Sequence, residues 1–400
     1  MTNEDKRGGG GFNAVAASSY PLLKMNKAKW SEALSCTSPP EVISGTDVKA
    51  QMYCHLLCAL RNSDLIDGIR APCALGLVRA FSLLESKWEQ ICDDLENGFP
   101  GMQITDPAMR ESVAKVLGGP QPDLSKRFRS IFEEKNWDGI VSKLWSNVRF
   151  IKCVTTGSMK QYYSKLKYYA GEVLILGGDY FASECPVAAY FEFLPFDLNE
   201  GSVDGNETVN FSDVKVGKTY EVVVTTYRGF YRYRLGDIVR VVGFHNSSPE
   251  VEFVMRAPNN AYEVITEKDL MSAMESFQLV MINAVAVEIV EFASFLDMES
   301  SPKQLKIFLE VKEGCVLLQE EKLQESSLGG LYKVQRDRSE IGPLLVYIVK
   351  PGSFDRIFQM AVENGAQASQ YKPPKIIRNS KVISAMESSA LVTVCLDSLD

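Results

Sequence analysis

Three short clusters in the chain bring together residue types that could do chemistry. The first is Tyr180-Phe181-Ala182-Ser183-Glu184, which directly follows the apolar run 173–176 and Gly177-Gly178. Ligands of open α/β sheets bind at the carboxyl ends of strands. A carboxylate beside a hydroxyl at such a place suits Mg²⁺, which keeps most of its waters and takes one or two protein carboxylates. The same residues also read as a surface glutamate after a turn. The second cluster is Tyr231-Arg232-Tyr233-Arg234-Leu235-Gly236-Asp237. Gly236 lets the backbone turn or approach a ligand closely, and Asp237 then offers two acceptor oxygens to the paired hydroxyls of a ribose. Alternating aromatic and arginine residues are equally a strand with one solvated face. The third is Gln370-Tyr371-Lys372-Pro373-Pro374-Lys375. Two prolines deny it helix or central strand, so Lys372 is expected on a loop, free to swing. A lysine there neutralises charge developing on a phosphoryl or acyl group; otherwise it is simply solvated.

The elements that must position these clusters follow from hydrophobic periodicity. Residues 51–98 read as helical throughout, and 124–135 as an amphipathic helix after the break Gly118-Gly119-Pro120. Strand-like runs cover 148–154, 173–176, 190–194, 220–226 and 238–244. Strands mixed with long helices predict an α/β layered domain. Ala257-Pro258-Asn259-Asn260 disrupts both periodicities, which sets a domain boundary at 256–262. Beyond it, a helix over 267–279, strands over 284–292, 305–311 and 344–349, and a helix over 353–364 predict a small α+β unit. The expected organisation is a flexible lead 1–13, a large domain 14–256 and a small C-terminal domain 257–400.

Composition excludes several function classes. The 400 residues are 46% hydrophobic and 24% charged, which rules out disorder and collagen-like repeats. The net charge is −8 and the 43 basic residues are dispersed, which argues against nucleic acid as the main partner. No apolar run approaches the roughly 18 residues that span a bilayer, and the mixed charge of the first residues is unlike a signal peptide. Nine cysteines, odd in number and without paired CxxC knuckles, point to a reducing, cytoplasmic compartment. Cys54 and Cys58 read as buried small hydrophobes. With only His55 and His245, no multi-histidine metal centre is available. The glycines from Gly8 to Gly11 lack the Lys-Ser/Thr of a phosphate loop.

The clusters together resemble a known family. The stretch Val224-Thr225-Thr226-Tyr227-Arg228-Gly229-Phe230-Tyr231-Arg232-Tyr233-Arg234-Leu235-Gly236-Asp237-Ile238-Val239, followed by Val242-Gly243-Phe244-His245-Asn246-Ser247-Ser248-Pro249, is similar to the plant acyl-acid amido synthetases. These are the auxin-responsive Gretchen Hagen family, a branch of the adenylate-forming superfamily. Tyr53-Cys54-His55-Leu56-Leu57-Cys58, Val116-Leu117-Gly118-Gly119-Pro120, Thr156-Gly157-Ser158-Met159 and Ile341-Gly342-Pro343 support the resemblance. Met255-Arg256-Ala257-Pro258 and Glu267-Lys268-Asp269-Leu270-Met271-Ser272-Ala273-Met274-Glu275 look most like the benzoate-conjugating clade.

The resemblance implies an adenylate-forming large domain, here incomplete, with a small α+β lid. It implies a two-step reaction: ATP·Mg²⁺ and a carboxylic acid give an acyl-adenylate and pyrophosphate, then an amino acid attacks to give an amide and AMP. The acid would be a benzoate, an auxin or jasmonate, the amino acid glutamate or next aspartate, and the protein a monomer. Carried over by motif, Tyr180 lies by adenine, Ser183 belongs to the same nucleotide motif, and Glu184 holds Mg²⁺. Asp237 binds the ribose hydroxyls, and Arg256 contacts the nucleotide at the hinge. Lys372 approaches the reacting phosphate and carboxylate, and Gly157-Ser158-Met159 lines the acyl pocket.

Two departures accompany the resemblance. The family's Ser-Ser-Gly-Thr-Ser-Gly-Gly phosphate loop, which offers successive backbone N–H groups to a triphosphate, has no counterpart; Ser44-Gly45-Thr46 runs into Asp47, whose carboxylate would repel phosphate. After Glu184 only Cys185 to Ala189 precede the next strand, and Phe181 and Ala182 stand where smaller residues are expected. These departures carry an alternative expectation: an N-terminally truncated, catalytically inactive relative that retains at most nucleotide or partner binding.

Overall fold

The computed structural model describes residues 36–45, 47–177, 189–197, 202–203, 207–227, 229–257, 267–285, 289–312, 330–364 and 371–396. The chain divides into two units: residues 1–155, 159–186 and 367–370 form one, and 156–158, 187–366 and 371–400 the other. Among the described residues, no helix is long and apolar enough to cross a membrane.

The first unit is helical around a small parallel sheet. Its helices are α1 (Pro40–Ile43), α2 (Val48–Arg61), α3 (Ala74–Asn97), α4 (Pro107–Leu117), α5 (Pro122–Glu133), α6 (Ile140–Leu144) and α7 (Tyr163–Ala170). Strands β1 (Gly68–Cys73), β2 (Phe150–Val154) and β3 (Leu174–Leu176) pair in that order, all parallel. The expectation of continuous helix over 51–98 fails here, because β1 interrupts it. The C-cap residue Asn62 closes α2, its side chain donating to the Cys58 carbonyl at 2.8 Å. Pro72 in β1 has no N–H to give a helix. A six-residue strand between two long helices is too short a run for its own period to stand out. The core gathers Leu57, Leu60, Phe81, Leu84, Ile91, Phe128, Phe132, Trp145 and Tyr169. Cys54 and Cys58 are buried in it.

The second unit holds two sheets. Strands β4 (Tyr190–Asp197), β5 (Ser202–Val203), β6 (Val209–Asn210), β7 (Thr219–Thr225), β8 (Tyr233–His245) and β9 (Ser248–Arg256) form an antiparallel sheet ordered β5-β4-β7-β8-β9, with β6 on β4. Pro249 is tolerated in β9 because that strand lies at the sheet edge. Next come α8 (Glu267–Val285), β10 (Ile289–Asp297), β11 (Gln304–Val311), α9 (Gly330–Asp337), β12 (Leu344–Val349), α10 (Ser353–Glu363), α11 (Ser380–Ser388) and β13 (Ala390–Leu396). Their four strands order as β10-β11-β12-β13. Strand β11 is apolar on both faces: Leu305, Ile307 and Leu309 meet α8 residues Leu270, Ala273 and Met274, while Phe308 meets Phe354, Ile357 and Ile383. The strand expected over 284–292 begins only at Ile289, since α8 runs on to Val285. An apolar stretch fits either period, and a helix already nucleated extends at one hydrogen bond per residue.

Candidate functional site

The second cluster of the sequence analysis lies on the β7–β8–β9 ribbon. In the β7–β8 register Arg234 faces Val223 and Ile238 faces Glu221, so Leu235, Gly236 and Asp237 bulge opposite Val222. Gly236 makes this possible with φ +71°, a conformation that a side chain opposes. The bulge aims Asp237 at Arg256, its register partner on β9. Their side chains form an ion pair, and the Arg256 guanidinium also donates to the Leu235 carbonyl at 3.0 Å. The Ala257 N–H donates to the Gly236 carbonyl at 2.6 Å, closing the end of the ribbon. The carboxylate is buried, whereas the guanidinium is 67% exposed and presents its charge to solvent.

The arginines between the tyrosines have structural work. Arg232 pairs with Glu192 at 3.1 Å and donates to Thr208 Oγ1 at 2.9 Å. Arg234 grips both oxygens of Glu221, whose side chain is 2% exposed. The paired guanidinium offsets part of the desolvation cost of that carboxylate. The solvated face is aromatic: Tyr227, Tyr231 and Tyr233 are exposed.

From Tyr371 on, the third cluster is a loop, as expected, but a pinned one; Gln370 lies outside the described residues. The Tyr371 ring packs on Phe358 with centroids 4.9 Å apart, and Pro373 is buried. Lys375 is wholly buried; its ammonium donates to Glu291 Oε1 and to the Phe292 carbonyl at 3.4 Å, and sits 4.1 Å from the Phe292 ring centroid. Burial pushes the Lys375 ammonium below the usual lysine range, against the attraction of Glu291. Ser294 donates to the Lys375 carbonyl twice, from N at 2.7 Å and from Oγ at 3.1 Å, and accepts from Ile377 N–H at 2.7 Å. Lys372 is expected on a loop free to swing; the structure places it on a loop whose Tyr371 packs on Phe358 and whose Lys375 is bonded to β10, with the Lys372 side chain exposed between them.

Glu267, the first residue of α8, ties these groups together. Burial raises its carboxyl pKa, and Lys375, Lys372 and Arg256, in that order, pull it back down. One half-buried carboxylate thus feels all three cations. Arg256 and Lys372, nominated from places far apart in the chain, share this electrostatic neighbourhood. The sequence reading missed Glu267, Lys375 and Glu291 as partners. Its available signal was the lysine entering the Ile376-Ile377 run, where a charge needs a buried counter-ion.

Gly157 opens a 3₁₀ turn (Gly157–Tyr162) at φ +59°, and a Cβ there would meet Phe253 Cδ1 at 2.6 Å. Ser158 is half-buried, and Met159 is fully buried in the core of the first unit. Tyr180, Ser183 and Glu184 lie outside the described residues. Among the described residues, no group of three or more His, Cys, Asp or Glu side chains could hold a metal ion. The donor set that is described suits a nucleotide: a carboxylate for sugar hydroxyls and two cations for phosphates.

Residues 1–175 match the GH3 family N-terminal domain, 184–256 the GH3 family central domain and 268–381 the GH3 family C-terminal domain. The chain belongs to the GH3 family. A probable indole-3-acetic acid-amido synthetase of Oryza sativa subsp. japonica is 45% identical over 85% of this GH3 chain and 78% of its own length. A 4-substituted benzoates-glutamate ligase of Arabidopsis thaliana is 35% identical over 94% of this chain and 71% of its own. A solved acyl acid amido synthetase, in complex with 2,4-DB, superposes with a TM-score of 0.73 at 28% identity, covering 88% of this chain and 67% of that one. The α/β fold is thus the fold of the GH3 synthetases.

Proposed function

We infer that this GH3 protein is an ATP-dependent acyl acid amido synthetase. It joins a carboxylic acid to ATP as an acyl-adenylate with release of pyrophosphate, then passes the acyl group to an amino acid with release of AMP. Attack of a carboxylate on the α-phosphorus sets two anions against each other, so the barrier falls mainly through placed cations. The observation that carries the reading is the ion pair of Asp237 and Arg256 at the Gly236 bulge of the β7–β8–β9 ribbon, supported by the pull of Lys372 and Arg256 on the Glu267 carboxyl. In this assignment Asp237 receives the ribose hydroxyls, Arg256 the nucleotide phosphates, and Lys372 the reacting phosphate and carboxylate. Tyr180 and Ser183 serve the nucleotide, Glu184 is the residue the motif offers to Mg²⁺, and Gly157-Ser158 serve the acyl acid, with the buried Met159 following them in the chain. Residues 257–400 act as the lid domain of a cytoplasmic monomer. The named synthetases among the relatives favour this reading over an inactive relative.

For the acid, an indole-3-acetate-type substrate draws support from the 45% identity to the rice protein, and a benzoate draws the weaker support of 35%. Jasmonate is next, and glutamate is the proposed amino acid. ATP–pyrophosphate exchange tests the reading with indole-3-acetate, substituted benzoates and jasmonate. Exchange should depend on one of these acids and fall about 100-fold in Lys372→Ala, the usual cost of removing one transition-state charge contact. A folded chain that exchanges with no acid would sink the reading.

A further inference from the structure

Burying a lysine is costly, and its pairing with a buried carboxylate seldom returns more than an apolar pair would. Stability alone is therefore a weak reason for the Lys375–Glu291 pair, and its position in the chain supplies another. Lys375 is joined to Lys372 by Pro373 and Pro374, whose rings fix φ and make the link stiff. The Lys375 end is fastened to β10 by Glu291, by the Phe292 carbonyl and by the two bonds from Ser294. The other end is fastened to α10 by Tyr371 on Phe358. Between the two fastenings the side chain exposed to solvent is that of Lys372, with Pro374 beside it.

We propose that Lys375, clamped by Glu291, is a positioning residue for Lys372: it sets the register of residues 371–377 against β10, so that the Lys372 ammonium projects from a fixed point toward the reacting phosphate. The proposal rests on the adenylation role inferred above for Lys372. It concerns the first half-reaction, because that is the step the Lys372 charge serves. Misplacing a catalytic group by about 1 Å costs on the order of 100-fold in rate.

The test uses the full chain and two assays: ATP–pyrophosphate exchange with an accepted acid, and amide formation from the supplied acyl-adenylate and glutamate. Because Lys375→Met alone strands the Glu291 charge, the paired variant Lys375→Met/Glu291→Met accompanies it, and Glu291→Gln serves as a milder version. In the paired variant, kcat for exchange should fall about 10- to 100-fold, while KM for ATP changes by less than about threefold. Amide formation from the supplied adenylate should stay at the parental rate. Adding Lys372→Ala to the paired variant should slow exchange no further than Lys372→Ala does alone, since a positioning residue has nothing left to position. Glu291→Gln should show the same selective loss to a smaller extent. Additive losses, equal losses in both assays, or parental exchange by the folded paired variant would overturn the proposal while leaving the role of Lys372 intact. Parental exchange by Lys372→Ala would instead remove the role of Lys372, and the proposal with it.

Discussion

Charged side chains in the second unit are organised as an alternating series. Glu291 holds Lys375, and Glu267 feels Lys375, Lys372 and Arg256, the last of which is paired with Asp237. Each carboxylate lies among cations, so none of these buried charges faces a like charge alone. Glu267 gives this series a measurable signature. Burial raises its folded pKa above the ordinary 4.5, so ionising it in the native state costs more than in the unfolded chain. That cost is absent at pH below the unfolded value, grows as pH rises from the unfolded value to the folded one, and is constant above both. Relative to the parent, Glu267→Gln should therefore gain stability as pH rises above the ordinary carboxyl value of 4.5 and level off once the folded carboxyl has ionised, as read from denaturant melts across a pH series. A stability difference that does not vary with pH would mean that Glu267 ionises as easily folded as unfolded.

At the scale of elements, Asp47 has a role its sequence neighbourhood concealed. Set beside Ser44-Gly45-Thr46, it read as a carboxylate that spoils a phosphate loop. It is in fact the N-cap of α2, accepting from Lys49 N–H at 2.9 Å and Ala50 N–H at 3.1 Å. Asp47→Ala should then lower unfolding stability by about 1 kcal/mol, with acid-dependent exchange unchanged; calorimetry and the exchange assay together check this. Most strands and helices were legible because their apolar residues keep one period: β7, β11, β12 and α10 fall within a residue or two of their expected ranges. β1 was hidden because it is only six residues long and lies between two long helices. β9 was hidden by Pro249, which disqualifies a central strand but not the sheet edge it occupies. The Gly236 bulge read as a turn for a related reason: a glycine inside a strand marks a departure from the ladder without saying how large it is.

For the molecule as a whole, nucleotide binding should appear as stability. A ligand that binds only the folded chain adds about 2.7 kcal/mol at 100 times its Kd, so ATP should raise the unfolding temperature. Asp237→Asn should lose most of that rise; an undiminished shift in the variant would place the ribose elsewhere. From the residues alone came the family resemblance, the mixed α/β character and the candidates Asp237, Arg256 and Lys372, since residue type and local spacing are properties of short stretches. Tertiary structure decided that Asp237 and Arg256 are partners, that Lys375 is buried against a glutamate 84 residues earlier, and that Glu267 senses three cations. Strand register and desolvation set those facts. Both depend on which distant segments pack together, and no local period carries that information.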